Sequence, residues 1–600
     1  MNFRHPSVPP FRRRRLLWAG IFAASFAMAP ILASHFTLSL INDTGSSVLV
    51  VLGLVILTGI GGITSFGQAA FVGIGAYATA WLTTTQGLSS WVGLLFALTL
   101  TGLAAAAIGM LTLRLGSHFL PLSTIAWGLS IPILFGNLEG LGQHTGLRDI
   151  PSLSIGGWRL DDSRAVYALT WGSVGLALLF SYNLLRSRPG RAIRSLRGGN
   201  TLLASVGADA YRLRLALFVT AALYAGFAGW LYAHTNRFVS PSPFDVNASI
   251  EYLLMATAGG LGQLMGALLG PAVVLGLKNA LQDVLPLFTS RAGQLQSLVF
   301  AVLFILLLHF ARGGLMGFFR RRAGFRGGPV PEAQAPSVAL PHRRLPPHGS
   351  PLLSVTGVVK RFGGLVAVNE VSFGVTAGEI VGLIGPNGAG KSTMFNLLTR
   401  TLPMTAGQVC FLGEDVTRLP QRRVAQLGLA RTFQHVKLRP QMSLLDNVAL
   451  GAHARASSGV LRAGLRLNGA EERQIMHEAR RQLVRIGLGD RAHEPAGSLP
   501  LGTQRILEIA RALAADPVLL VLDEPAAGLR RQEKTALAGL LRKLREEGVT
   551  ILIVEHDMDF VMNLVDRVIV MNFGVKLTEG APAAVRADER VQAAYLGSAA

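Results

Sequence analysis

The chain holds a single cysteine, Cys410, in 600 residues. That excludes an intrachain disulfide framework and any metal site built on clustered cysteines. Charge is also scarce: 15% of residues are Asp, Glu, Lys or Arg, where soluble domains average about 25%. Between Thr44 and Leu113 there is none at all. With half the residues hydrophobic and a mean hydropathy of +0.43, a disordered chain and a purely soluble one are both excluded. Acidic residues are the scarcer sign, and the net charge is +22. Residues 1–349 contribute +16 and residues 350–600 only +6. Most of the excess flanks apolar runs, as positive-inside loops require, so the basic balance points to a membrane and not to nucleic acid.

A helix needs about 20 apolar residues to cross a bilayer. The stretch Thr44–Leu113 has room for three, and further uncharged runs are Leu16–Ala33, Leu115–Leu138, Ala165–Leu185, Leu215–Asn236, Tyr252–Leu277 and Ala292–Ala311. Eight to ten crossings are expected, with ten favoured. Tyr252–Leu277 is interrupted by Gly259-Gly260 and Pro271, which predicts either two short helices or a broken one. Arg12–Arg15, the arginines Arg186 to Arg197, and Arg320–Arg322 mark cytoplasmic ends, so the number of crossings is even. Leu16–Ala33 is longer than the 7–15-residue core of a signal peptide and reads as an uncleaved first helix. Glu251 and Lys278 stand at the ends of uncharged runs, where long side chains reach the interface, so the crossings are expected to hold no charge at mid-membrane.

Three regions follow: a transmembrane permease-like domain over 1–320, a Pro/Arg-rich linker over 321–351 that reads as an extended tether, and a soluble α/β domain over 352–600. In the last, Ile380–Ile384 and Val518–Leu522 look like buried parallel strands. After the first comes Gly385-Pro-Asn387-Gly388-Ala389-Gly390-Lys391-Ser392-Thr393, the G-x-x-x-x-G-K-[ST] loop in its strand–loop–helix setting. Its glycines let backbone N–H groups turn to phosphate oxygens, and the following helix aims its positive end at the same anion. Lys391 is expected on the β- and γ-phosphates and Ser392 on Mg²⁺. The second strand ends in Asp523-Glu524-Pro525: Asp523 is placed to hold Mg²⁺, and Glu524 to orient or deprotonate the attacking water. ATP and Mg²⁺ are thus the expected cofactors.

At this point a family resemblance appears. Residues 352–600 resemble an ABC-type ATP-binding subunit along their whole length, which makes the expected fold a polytopic α-helical membrane domain followed by an α/β P-loop NTPase domain of ABC type. Arg431-Thr-Phe-Gln434 resembles the Q-loop, implying that Gln434 touches Mg²⁺ and relays to the membrane part. Ile553-Val-Glu-His556-Asp resembles the switch-histidine segment, implying His556 beside the γ-phosphate. Phe362 stands where the family stacks an aromatic on adenine. Arg431-Thr-Phe-Gln-His435, Glu555-His-Asp-Met558 and Ala594-Tyr-Leu-Gly597 are similar to branched-chain amino acid importers. So are three stretches of the membrane half: Thr64–Phe71, Ser187–Arg194 and Ser249–Met255. The chain therefore looks like a permease fused to its ATPase.

Two departures stand out. The signature segment, Leu-Ser-x-Gly-Gln in the family, is Leu499-Pro500-Leu501-Gly502-Thr503-Gln504 here. Gly502 keeps the nucleotide-facing glycine, but Pro500 offers neither a hydroxyl nor an N–H. Arg530 follows Gly528-Leu529 where Asp or Asn is usual. The resemblance implies ATP-driven import of branched-chain or related amino acids through an inner (plasma) membrane, with the ATP-binding domain cytoplasmic. The partners it implies are membrane lipid, an extracytoplasmic solute-binding protein, and a second ATP-binding subunit with a second permease, or a second copy of this chain. The stretch Arg188–Arg212 resembles the permease loop that docks on the ATPase. An exporter half-transporter working as a homodimer and a membrane-tethered regulatory ATPase are the alternatives; short inside loops disfavour the first, and many crossings the second.

Overall fold

The computed structural model describes Met28 and residues 30–114, 119–155, 158–288, 292–311, 313–322 and 339–596. Its contacts divide the chain into two compact units, one of residues 1–182 with 214–325 and the other of residues 183–213 with 326–600.

The first unit is helical. Among the described residues, seven helices are long and apolar enough to cross a membrane: His35–Ile60, Ser90–Thr112, Leu120–Asn137, Ser163–Leu185, Ala210–Asn236, Gly266–Leu287 and Leu295–Phe319. Most of Leu16–Ala33, counted in the expected eight to ten, lies outside the described residues. Gln68–Thr85 is a further helix, buried along nearly its whole length. Starts are set by polar caps: Ser34 accepts from the Thr37 N–H, Ser89 from Val92 and Asp245 from Ala248. Small residues let helices touch backbone to backbone. A Cβ on Gly75 would stand 2.2 Å from the Gly226 carbonyl oxygen. The glycine-rich stretch after His35–Leu54 leaves the α-helix: Val55–Ile60 is a π turn, and the chain is irregular until Gln68. The run Tyr252–Leu277 resolves into two helices, Val246–Gly259 and Gly266–Val284, separated at Gly260 (φ 115°).

The second unit is built on a six-stranded sheet. Nine of its strands, all but the two-residue Glu414–Asp415 beside β4, are numbered here β1 (Pro351–Phe362), β2 (Leu365–Thr376), β3 (Ile380–Ile384), β4 (Ala406–Phe411), β5 (Leu429–Arg431), β6 (Leu519–Asp523), β7 (Thr550–Val554), β8 (Arg567–Asn572) and β9 (Val575–Gly580). The main sheet runs β9-β8-β3-β7-β6-β5, parallel except at β9, and an antiparallel sheet places β1 between β2 and β4. β3, β6 and β7 are apolar throughout but for Thr550 and Asp523, and every residue in them is buried, as a central parallel strand requires.

Two segments outside 352–600 belong to this unit. The helix Arg188–Ser195 packs its arginines on residues 446–472 of this unit. Arg188 donates to the carbonyls of His453, Ala456 and Ser458 at 2.6–2.9 Å, Arg191 pairs with Glu472, and Arg194 meets Asp446 at 3.2 Å. Further on, Asp209 pairs with Arg422, and Gln426 donates to the Gly207 carbonyl. The second segment, the end of the linker, departs from the expected extended tether. Linker residues 323–338 lie outside the described residues, but from Ala339 the chain is strapped down. Leu340 is buried in the core, His342 and the Arg343 N–H both meet Asp516, and the Arg343 guanidinium donates to the Gln426 carbonyl. Composition misled because prolines forbid a helix without forbidding side-chain and backbone contacts.

Candidate active site

In an open parallel sheet, ligands bind where strands end at their carboxyl edge. Here β7 lies between β3 and β6, so three neighbouring strands deliver Gly385, Glu555 and Asp523-Glu524 to one edge. The register pairs Val554 with Asp523, which sets Glu555 one residue beyond the Asp523 carboxylate.

The loop after β3 is shaped by glycines with left-handed backbone, Gly388 (φ 83°) and Gly390 (φ 92°), the latter capping the helix Lys391–Leu398. A Cβ on Gly390 would meet the Ala367 carbonyl oxygen at 2.5 Å. Ala389 is buried as the foot of the loop, whereas Asn387, Gly388 and Ser392 are exposed and Thr393 half-buried. Lys391 is buried, and its ammonium donates to the carbonyls of Gly385 (2.6 Å) and Pro386 (2.9 Å). Burial holds its pKa below the ordinary lysine value, with Glu524 opposing.

Asp523 is 5% exposed and its Oδ1 has no hydrogen-bond partner. Burial pushes its carboxyl up to about 6, against the pull of Arg431. Glu524 adopts φ +45°, a left-handed conformation that costs a non-glycine residue about 1–3 kcal/mol. Two bonds hold it there: its N–H donates to the Val554 carbonyl at 2.8 Å, and its carbonyl accepts from Arg505 at 2.6 Å. The His556 ring stands 4.0 Å from the Glu524 carboxylate and is more than half exposed. Thus Glu524 and His556 do meet, on the same edge as the phosphate loop.

The remaining expected residues lie on or beside other elements. Gln434 is exposed just beyond β5. Phe362 ends β1 with its ring 45% exposed and the Lys360 ammonium 4.9 Å above it. Gly502 lies in the first turn of the helix Leu501–Ala514, whose N-cap is Pro500, and faces Leu529 and Glu533.

Two contributors were not assigned from sequence. Glu555 is fully buried, accepts from the N–H groups of Ala526 (2.7 Å) and His556 (3.1 Å), and has its carboxyl raised by burial. Arg431 is buried between the rings of Phe395 and Phe433, donates to the Thr399 hydroxyl at 2.6 Å, and supplies the positive charge opposite Asp523. Its own pKa falls to about 10 through burial. The usable signal for Glu555 was its position at the end of a strand flanked by the two motif strands.

An exposed hydroxyl on Ser392 and an unsatisfied buried oxygen on Asp523 are the donor set a hard divalent cation takes. The glycine loop can cradle an anion, Lys391 is near enough to Glu524 to feel its charge, and Glu524 with His556 is an arrangement able to serve hydrolysis.

Residues 368–527 match the ABC transporter family. Residues 36–308 match the family described as branched-chain amino acid transport system / permease component, and residues 575–600 match the branched-chain amino acid ATP-binding cassette transporter family. The high-affinity branched-chain amino acid transport ATP-binding protein BraF of Pseudomonas aeruginosa is 43% identical over 253 residues, which is 42% of this chain and 99% of that protein. LivG of Escherichia coli (strain K12), named likewise, is 42% identical over 252 residues, covering 42% and 99%. A probable LivG of Archaeoglobus fulgidus is 34% identical over 250 residues, covering 41% and 96%.

Proposed function

The chain belongs to the family of branched-chain amino acid ATP-binding cassette transporters, with permease and transport ATPase on one polypeptide, and from that premise we propose that it drives import of branched-chain amino acids. The membrane is the inner one, the ATPase is cytoplasmic, and an extracytoplasmic binding protein delivers the solute. One observation supports this reading above the rest. The phosphate loop, Glu524 and His556 share one sheet edge, and the same unit holds residues 183–213, a segment that interrupts the helical unit in sequence.

Phosphates enter the loop's N–H cradle, and Lys391 exchanges the Gly385 and Pro386 carbonyls for phosphate oxygens. Ser392, Asp523 and Gln434 would hold Mg²⁺, which when bound neutralises charge developing on the transferred phosphoryl group. Phe362 stacks on the base. Glu524 takes a proton from the attacking water, and His556 stands by the phosphoryl group that departs as phosphate.

One phosphate loop and one signature per chain make half of each of two shared sites. The complex therefore contains a second ATP-binding subunit and a second permease, and the Pro500 signature fits a non-identical pair. Closure of the ATPases on two ATP draws the Arg188–Ser195 helices together, and hydrolysis lets them part. Solute moves only because it binds the two permease states unequally.

The test is uptake of labelled leucine into vesicles that hold the assembled complex, with ATP and with a saturating binding protein. Accumulation should need both, and should vanish with Lys391→Ala. Accumulation that survives Lys391→Ala overturns the proposal.

A further inference from the structure

The uncharged run before Lys278 ends where its helix does not. Lys278 is not at the end of its helix. It is the thirteenth residue of the 22-residue span Gly266–Leu287, about 14 Å along the axis from the nearer end.

Its direction is fixed by the helix. Ala267, Pro271, Val274 and Leu281 are the buried stripe of Gly266–Val284, and Lys278 follows Val274 by four residues and precedes Leu281 by three. On Val246–Gly259, Glu251 continues the stripe of Met255 and Gly259, both buried. The two helices run antiparallel at backbone contact: a Cβ on Gly270 would stand 1.9 Å from the Met255 carbonyl oxygen, and one on Gly259 1.9 Å from that of Gly266. Side chains lean towards their own helix N-terminus, so in this pair Lys278 and Glu251 lean towards each other's level. They meet, the ammonium donating to the two carboxylate oxygens at 2.8 and 3.0 Å.

The pair is not sealed in. Lys278 is 38% and Glu251 30% exposed on this unit. Charges in a membrane are not left against lipid; they face a bundle interior or a water-filled path. An ion pair borne inside two apolar helices, one on either side of the break at Gly260–Met265, is an uncommon feature unless it has a use.

We propose that Glu251 and Lys278 form the subsite that reads the two charges of an α-amino acid in the transport path. The solute's ammonium goes to Glu251 and its carboxylate to Lys278. Both groups are borne on one carbon, so they present opposite charges side by side, as the pair does. With no solute the pair neutralises itself. With a zwitterion it exchanges one internal contact for two, and the site stays neutral throughout. Neutral amides, urea and sugars lack one or both charges and leave the pair closed. This subsite rests on the reading of the chain as an amino-acid transporter and adds which residues select the solute.

The experiment measures saturable binding of labelled leucine to the assembled complex without any binding protein. Glu251→Gln with Lys278→Met leaves no unpaired charge, and the leucine Kd should rise at least about tenfold. The charge swap, Glu251→Lys with Lys278→Glu, keeps the ion pair but reverses it. A merely structural pair predicts the wild-type Kd in the swap, whereas a solute-reading pair predicts the raised one. Leucinamide and 4-methyl-2-oxopentanoate, each lacking one charge, should compete poorly on the wild type and as well as leucine on the neutral double variant. An unchanged Kd in the neutral double variant or in the swap overturns the proposal, as does absence of leucine binding to the wild type. If the neutral pair fails to assemble, the swap decides. Leucine uptake by wild-type vesicles is scored separately: its failure refutes the import reading, while normal uptake with unchanged Kd values refutes this subsite alone.

Discussion

Asp523→Asn tests whether the ATPase site holds instability that bound metal and nucleotide relieve. The Asp523 carboxyl is buried with Oδ1 unpartnered, and burial raises it from 3.8 to about 6, with Glu524 and Glu555 pushing the same way and Arg431 opposing. The sign follows from proton counting. Between those two values the folded state keeps a proton that the unfolded chain has released. This group's stabilisation is therefore full below the unfolded value and is lost as pH rises towards 6. At neutral pH the ionised buried carboxylate is a net cost, and the interval from 3.8 to about 6 corresponds to about 3 kcal/mol. Asparagine keeps the shape and drops the charge. The nucleotide-free complex should then melt several degrees higher with Asp523→Asn at about pH 7.5, and the gap should close at about pH 4. Thermal unfolding followed by intrinsic fluorescence across that range measures both. Added Mg²⁺ and ATP should stabilise the parent and not the variant in the metal-dependent part. Equal melting of the two proteins at neutral pH, or a lower value for the variant, refutes the reasoning.

Further outcomes follow from the same geometry. Glu524→Gln should cut ATP hydrolysis by about 10²-fold or more while ATP binding persists, as measured by turnover and nucleotide retention. Arg191→Met removes a buried guanidinium from Glu472 and should lower stability by about 3 kcal/mol and reduce uptake per ATP hydrolysed; adding Glu472→Leu should restore the melting temperature without restoring coupling. In single-turnover hydrolysis the assembled complex should show one fast and one slow site, and Pro500→Ser should raise the slow phase; two equal sites in the parent would count against a non-identical pair. Gly75→Val should prevent assembly of the helical unit, because its Cβ falls 2.2 Å from the Gly226 carbonyl oxygen; a normally eluting complex would contradict that packing.

The ATPase half was legible because its chemistry is written in contiguous residues. A phosphate loop needs its glycines, lysine and serine on one turn, and a metal-binding carboxylate needs the end of a buried strand. Both leave patterns within ten residues, and the structure builds them at the ends of β3 and β6. Glu555 and Arg431 escaped because their roles arise from neighbours distant in sequence. Glu555 is buried by the strand order, and Arg431 is made a counter-charge by rings and hydroxyls from residues 395–401 and 433. The strap at 339–350 escaped for the reverse reason: its prolines announce irregular backbone, and irregular backbone says nothing about whether Leu340 finds a core.

The membrane half shows where reading by uncharged runs fails on principle. A run ends at its first charged residue by definition, so every charge is assigned to an end and none to a middle. A helix ends for other reasons: caps, glycines and lost hydrogen bonds. Val246–Gly259 begins at the Asp245 cap and stops at Gly260, so Glu251 falls inside it. Gly266–Val284 continues six residues beyond Lys278 before the turn at Leu285–Leu287, so Lys278 also falls inside. Two residues that looked like boundary markers are thereby brought onto facing stripes of one hairpin. The bilayer makes such a placement costly when single and tolerable when paired. A charge that is found inside a span should therefore be sought with its partner first, and only then asked what a solute bearing both signs would do between them.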